Sequence, residues 1–199
     1  MKLFLILFAF LFSFINPNSD ISMNGISIHD SETKLETIKL EVIASQKDKK
    51  SSTIKYKTEN GNDFSVTTKN GQVVFLENDW LQEVKGNKPL VSQFTFGETT
   101  LKEIRAAFGT NGFSFTKNAG YATETSLIEF NCFELDSPNN EILVIVTKLI
   151  IPKDLIGIEE DNIANMLKLD AIIIADNEYL EKLWGSQKSY DPNYKKVKL

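Results

Sequence analysis

The stretch from Thr53 to Leu76 reads TIKYKTENGNDFSVTTKNGQVVFL and gives the most definite local prediction of structure. Apolar and polar residues alternate within it in three short runs, at Ile54 and Tyr56, at Phe64 and Val66, and from Val73 to Leu76. The dipeptides Asn60-Gly61 and Asn70-Gly71 separate these runs, and both tolerate the positive φ angles of tight hairpin turns. The stretch therefore predicts a three-stranded antiparallel meander.

A short amphipathic helix is predicted on each side of this meander. Residues 32–39 (ETKLETIK) and 98–105 (ETTLKEIR) read alike. Each segment begins an apolar stripe with i, i+3, i+7 spacing, formed by Leu35, Ile38 and Val42 in the first and by Leu101, Ile104 and Phe108 in the second. Thr100 and Glu103 have capping-box spacing in the second helix, and Gly109 stands where a left-handed cap would end it. We expect both stripes to face a core.

The region after the second helix repeats the order of helix followed by strands. Short apolar runs predict strands at Phe94 to Phe96, Phe113 to Phe115, Leu127 to Leu135 and Glu141 to Ile151. Beyond Pro152 the pattern predicts a helix led by the acidic run 159–161, a strand from Ala171 to Ala175, and a last helix from Asn177 to Trp184.

These elements together predict an α+β fold. It consists of two tandem helix-plus-antiparallel-meander units, with helices packed on one sheet face, plus a C-terminal α/β extension. The predicted organisation is a signal peptide at residues 1–19, a first unit at 20–88, a second unit at 89–151, and an extension at 152–199 packed on the second unit.

The N-terminal residues predict export. Lys2 is followed by an apolar run from Leu3 to Ile15, which is typical of a secretory signal and short of the ~20 residues that span a bilayer. No cysteine follows the run, so we expect no lipid-bearing N-terminus. We therefore expect a periplasmic or secreted protein, with an uncleaved signal acting as an anchor as the alternative.

Composition excludes some classes of function. The formal net charge is −5 and both signs of charge are interspersed, which argues against a nucleic-acid binder. The single cysteine, Cys132, cannot form an internal disulfide, and its apolar surroundings predict a buried strand position.

No motif in the chain predicts catalysis, a cofactor or a metal. The single histidine, His29, lies near Asp30 and Ser31, but no Gly-x-Ser-x-Gly elbow is present. A structural zinc site needs about four Cys or His ligands, and the chain has two such residues. The acidic run 159–161 places its carboxylates side by side on a helix, which does not suit glycoside chemistry.

Three aromatic residues are candidates for a binding surface, although core packing also explains aromatic residues. Trp80 follows the meander, and Trp184 and Tyr190 lie near the C-terminus. Trp and Tyr are enriched where proteins bind one another.

The segment Gly97-Glu98-Thr99, with Ile104, Phe108 and Gly109 after it, resembles the SmpA/OmlA outer-membrane assembly lipoproteins and the beta-lactamase inhibitor proteins. Those families share a glycine before a short helix, an apolar residue inside it and Leu-Gly at its end. The chain departs from the pattern in its first unit, which lacks both glycines, and in having no lipid-bearing cysteine. The resemblance implies a non-enzymatic scaffold that presents a sheet face or its loops to another protein.

The leading hypothesis is an exported, non-enzymatic protein-binding module whose partner is an unidentified envelope or extracellular protein. An inhibitor-like or immunity-like role is one version. Two alternatives remain open: a small envelope hydrolase with a dispersed site that includes His29 and a carboxylate, and a binder of a small apolar ligand. We expect no nucleic-acid partner and no stable transmembrane span.

Overall fold

The computed structural model describes residues 21–81, 86–151 and 160–199, and its main element is one antiparallel β-sheet. Its ten strands are β1 (Glu41–Lys47), β2 (Ser51–Lys57), β3 (Asp63–Lys69), β4 (Gln72–Asp79), β5 (Phe113–Phe115), β6 (Gly120–Ala122), β7 (Ser126–Glu134), β8 (Glu141–Ile150), β9 (Lys168–Asp176) and β10 (Lys188–Tyr190). Their order across the sheet is β1-β2-β3-β4-β9-β8-β7-β5-β10, and β6 also pairs with β7. The helices are a 3₁₀ helix (Glu32–Thr37), α1 (Leu101–Phe108), α2 (Glu160–Met166) and α3 (Asn177–Trp184).

The meander predicted from residues 53–76 is confirmed as strands β2, β3 and β4. Asn70 and Gly71 form the β3–β4 turn with φ angles of 51° and 79°, and a two-residue hairpin turn of this kind requires positive φ at both positions. The register sets Tyr56 opposite Phe64, and both side chains are buried on the same face of the sheet.

The predicted fold class is wrong, because the chain forms one continuous sheet rather than two helix-plus-meander units. Strand β9, from the predicted C-terminal extension, lies inside the sheet and pairs with β4 on one side and β8 on the other. Strand content is 44% and helical content 16%, so the protein is mainly β. The run Ile172-Ile173-Ile174 explains the position of β9, since all three side chains are buried and a central strand is covered on both faces.

The prediction of the first helix is also wrong, because the observed helix is shorter than predicted. It is a 3₁₀ helix that ends at Thr37, and Ile38 already has extended angles of φ −72° and ψ 121°. Val42, predicted on the helix stripe, lies in strand β1 instead. Val42 and Ile43 are β-branched and favour a strand, and pairing with β2 outweighs the helical spacing. The predicted strand at 94–96 is a loop in which Phe94 and Phe96 are buried.

The second predicted helix is confirmed as α1. Thr100 and Glu103 form the capping box, and Gly109 caps the C-terminus with φ 63°. The strand at 171–175 and the helix Asn177–Trp184 are confirmed within β9 and as α3. The side chains of the acidic run 159–161 and the signal peptide at 1–19 lie outside the described residues.

Apolar clusters lie on both faces of the sheet. On one face, Leu143 and Ile145 of β8 pack in a cluster that includes Ile104 of α1. On the other face, Val144 of the same strand packs in a cluster that includes Leu180 of α3. Because alternate residues of a strand point to opposite faces, β8 contributes to both clusters. Within the described ranges no helix is long and apolar enough to cross a membrane.

Candidate protein-binding edge

Strand β1 is one end of the sheet, and the side of its backbone away from β2 has no neighbour among the described strands. All seven residues of β1 are exposed, whereas the first six residues of β3 are buried. An exposed edge offers backbone N–H and C=O groups to a strand from another chain. The strand at the other end of the sheet, β10, has three residues, so β1 is the longer of the two end strands.

The register of β1 against β2 determines which backbone groups face outward. Asp48 donates its N–H to the carbonyl of Ser51 at 2.7 Å, which makes these two residues a hydrogen-bonded pair. Hydrogen-bonded and non-hydrogen-bonded pairs alternate along an antiparallel ladder. Gln46 therefore bonds to β2, and the N–H groups of Ser45 and Lys47 point away from β2.

The N-terminal half of β1 contains a β-bulge and two exposed aliphatic side chains. The register shifts between Val42 and Ala44. Val42 is 55% exposed and Ile43 is 43% exposed, and they are adjacent in the chain. A bulge is one way in which a protein limits pairing at an edge. Regular pairing is thus available along residues 44–47, with the two aliphatic side chains beside it as apolar contacts.

The hairpin formed by β1 and β2 is locally basic, although the chain carries a net charge of −5. Lys39, Lys49 and Lys50 are exposed and make no ion pair within the described part of the chain. Lys47 lies 4.0 Å from Glu32, and the acidic residues of the hairpin are Asp48 in the turn and the exposed Glu41 at the start of β1. A partner whose charge complements this hairpin is therefore acidic.

Charged side chains at the base of the hairpin share one lysine. Lys55 Nζ lies 2.8 Å from Asp63 Oδ2 and 3.7 Å from Asp79 Oδ2. Burial and, next in size, the Asp79 carboxylate together raise the pKa of Glu77 to about 7, and the positive charge of Lys55 opposes this shift. Burial also raises the pKa of Asp79. This arrangement makes the stability of the strands behind the edge depend on pH.

The three aromatic residues predicted to form a binding surface lie in different places. Trp80 packs against the cluster on the α1 face, with its ring so close to Gly97 that a side chain there would collide with it. Trp184 packs on the opposite face. Tyr190 is 44% exposed and donates its hydroxyl to Glu134 at 2.9 Å. Their role in partner binding stays a prediction.

The histidine is paired with a carboxylate. His29 Nε2 lies 3.0 Å from Asp176 Oδ2, and Asp176 Oδ1 accepts the N–H of Tyr179 and so caps α3. The pair borders a groove of about 500 Å³, which is also lined by Lys69 and Lys182. The described lining contains no serine, threonine or cysteine, so the hydroxyl or thiol of a Ser-His or Cys-His pair is absent from it. The observed contacts tie the N-terminal segment to the start of α3.

Cys132 is a buried strand residue, as predicted. Burial raises the pKa of its thiol to about 12, and the reactive thiolate is therefore scarce at neutral pH. Among the described residues, no three His, Cys, Asp or Glu side chains are placed to hold a metal ion.

Strand β1 was not predicted as a site, because the spacing of Leu35, Ile38 and Val42 predicts a helix there. The signal that identifies the strand is the β-branched pair Val42-Ile43, followed by a polar hairpin turn at Lys49-Lys50.

The fold and this edge define a mainly β protein with an open edge strand. No family model matches the chain, and no curated protein matches it. One solved structure similar to the chain is a cysteine-rich secretory protein from Staphylococcus aureus, with 15% sequence identity and a TM-score of 0.45. The match covers 90% of this chain and 54% of that one, so the chain spans about half the length of that protein. At this distance the likeness assigns neither a family nor a function.

The resemblance to the SmpA/OmlA lipoproteins and the beta-lactamase inhibitor proteins is wrong. No family model matches the chain, and its described strands form one continuous sheet rather than two helix-plus-meander units. The residues that suggested the resemblance, Gly97 to Gly109, form a turn and a capped helix. Such a helix is defined by local capping rules, which many unrelated folds obey.

Proposed function

We propose that the chain is an exported protein-binding module that takes up an extended, acidic segment of its partner along the outer edge of β1. The observation that carries this proposal is that all seven residues of β1 are exposed at the end of the sheet. An extended segment is the occupant that pairs with outward N–H and C=O groups. An inhibitor-like or immunity-like role, in which the captured segment is withheld from other proteins, is one version of the proposal.

The chemistry of the partner follows from the surroundings of the edge. The outward backbone groups of Ser45 and Lys47 would bond to the partner strand. Val42 and Ile43 would contact an apolar side chain next to it. Lys49 and Lys50 at the turn would attract carboxylates and increase the association rate at low salt.

Export is the second part of the proposal. It rests on Lys2 and the apolar run Leu3 to Ile15. Export is tested by measuring the mass of the chain that is recovered from the envelope or the medium. A chain shortened near Ser19 is expected, and a chain that is found only in the cytoplasm at full mass would contradict export.

The edge is tested with Ser45→Pro, because proline removes the outward N–H and leaves the bonds from Gln46 to β2 in place. Ser45→Thr is the matched control, since threonine keeps the N–H and favours a strand. Full chains tagged after the exposed Leu199 are used to capture proteins from the envelope fraction of the native organism, followed by mass spectrometry. Circular dichroism and thermal unfolding verify that both variants are folded.

We expect one stoichiometric partner with the wild type and Ser45→Thr, and a loss of about tenfold or more in its recovery with Ser45→Pro. Equal recovery by both variants would place the contact elsewhere. The absence of any stoichiometric partner would refute the binding module. A wild-type dimer in sedimentation experiments that Ser45→Pro dissociates would identify a second copy as the occupant, contrary to the proposal.

A further inference from the structure

The single arginine of the chain, Arg105, lies at the end of the sheet opposite to β1. It is in the last turn of α1 and is half-buried. The other basic residues of the chain are lysines, which serve well as solvated surface charges. Arginine is preferred where a planar fork of N–H donors must match a carboxylate or phosphate.

The guanidinium of Arg105 is only partly satisfied. Nη2 donates to Asn131 Oδ1 at 2.7 Å, and this is its only hydrogen bond to a described residue. Nε is buried and has no hydrogen-bond partner. No carboxylate of the described chain lies within ion-pair distance of Arg105. A buried donor without a partner is costly and needs an explanation, such as a missing ligand.

Asn131 and Glu129, both on β7, form the floor behind the guanidinium. Asn131 is 6% exposed, and its Nδ2 has no hydrogen-bond partner, although it lies near enough to Glu129 to lower the pKa of that carboxyl. Burial is the largest effect and raises the pKa of Glu129, against the positive charge of Arg105 and the smaller effect of Asn131. Arg105 and Asn131 thus present more donors than the described chain satisfies.

Asp191 is the acidic residue at the rim, and its oxygens are already occupied. Oδ1 accepts the N–H of Asn193 at 2.8 Å, and Oδ2 accepts Asn111 Nδ2 at 2.9 Å. These bonds lower the pKa of Asp191. Its charge acts on Arg105 through space, without the direct contact that would fill the fork.

Two adjoining grooves give a ligand access to Arg105. One has a volume of about 630 Å³ and is also lined by Lys102, one turn earlier on α1. The other has a volume of about 400 Å³ and is also lined by Asn131. Both are lined by Arg105 and Asp191, so the two grooves adjoin at these residues.

Interaction with the dipole at the C-terminus of α1 accounts for a basic residue here, but not for its burial. A lysine in water would supply that effect as well. The dipole does not explain why Arg105 contacts a buried asparagine, or why its Nε is buried without a hydrogen-bond partner.

We infer that the groove binds a small oxyanion, a carboxylate or a phosphate, through the guanidinium of Arg105 with Lys102 at the rim. Arg105 supplies directional N–H donors and Lys102 a second positive charge. Asn131 is the positioning residue, because its carbonyl oxygen holds Nη2. The site is separate from β1, so its failure and the failure of the binding module are distinguishable.

The experiment is thermal unfolding of the full chain in sodium phosphate, sodium acetate or sodium chloride at equal ionic strength and pH. A ligand of the folded state raises the unfolding temperature, and chloride controls for screening. Arg105→Gln removes the charge and retains an amide that can donate to Asn131. Lys117→Gln removes an exposed charge outside the groove and is the matched control.

We expect phosphate or acetate to raise the unfolding temperature of the wild type and of Lys117→Gln above its value in chloride. In Arg105→Gln the dissociation constant should increase by about tenfold or more, and in Lys102→Gln by less. A response to acetate alone identifies a carboxylate site, and a response to phosphate alone identifies a phosphate site. Equal unfolding temperatures of the wild type in all three salts, or an unchanged response of Arg105→Gln, would overturn the inference.

Discussion

Replacing Glu77 with glutamine should stabilise the fold in neutral and alkaline solution and have little effect in mild acid. Burial and the Asp79 carboxylate raise the pKa of Glu77 from 4.5 to about 7 in the folded protein. The folded state therefore binds this proton more tightly than the unfolded state, and stability falls as the pH rises between these two values. Glutamine has nearly the same shape as the protonated side chain and does not titrate.

The magnitude follows from the difference between the two pKa values, which corresponds to about 3 kcal/mol once Glu77 is ionised in both states. For a domain of this size, that gain raises the unfolding temperature by roughly 6–12 °C. The positive charge of Lys55 offsets part of the free-energy cost of ionising Glu77 in the folded state. The pKa of the neighbouring Asp79 is raised as well, so the two carboxyl groups influence each other's ionisation.

Urea unfolding of the wild type and Glu77→Gln, in steps from about pH 4 to about pH 8, measures the effect. The variant should be more stable by an amount that grows from near zero to about 3 kcal/mol, with an unchanged dependence on urea. Glu36→Gln, at an exposed position, is the control for loss of one negative charge. A Glu77→Gln protein that is less stable in alkaline solution, or a difference that does not change with pH, would refute the reasoning and identify Glu77 as an ionised partner of Lys55.

Two further predictions concern the packing beside β7. Gly112→Ala should destabilise the fold by about 3 kcal/mol, because φ is 75° and the new Cβ would collide with the carbonyl of Cys132. Gly25→Ala, with φ 78° and no atom within 4 Å, should cost about 1 kcal/mol, and equal losses in thermal unfolding would contradict the packing argument. Cys132 should resist iodoacetamide in the folded chain at neutral pH and react after unfolding in urea, since its thiol is buried with a pKa of about 12; rapid alkylation of the folded chain, followed by mass spectrometry, would show that it is accessible.

Local features of the fold could be predicted because their signals act between near neighbours. The Asn70-Gly71 turn and the alternation on either side of it place β3 and β4 in register. Thr100, Glu103 and Gly109 set the ends of α1 through contacts within the helix itself. The spacing of Leu35, Ile38 and Val42 misled in the first segment, because strand pairing outweighed a weak helical preference.

The candidate sites could not be predicted in the same way. An edge is defined by the absence of a neighbouring strand, and no residue of β1 encodes the position of the other strands. Arg105 carried a signal as the single arginine, but its importance depends on Asn131, which approaches it only when α1 packs over β7. Likewise, His29 and Asp176 are far apart in the chain and adjacent in space.

The sequence by itself determined the meander of β2, β3 and β4, the capped helix α1 and the buried character of β8 and β9, because turn angles, helix caps and apolar runs are properties of adjacent residues. Only the tertiary structure decided that β9 lies between β4 and β8, that β1 is left open at the end of the sheet, and that Arg105 meets Asn131. The physical reason is that strand order depends on pairing between distant segments. Several orders bury the same apolar residues, and the packing of the whole chain selects one of them.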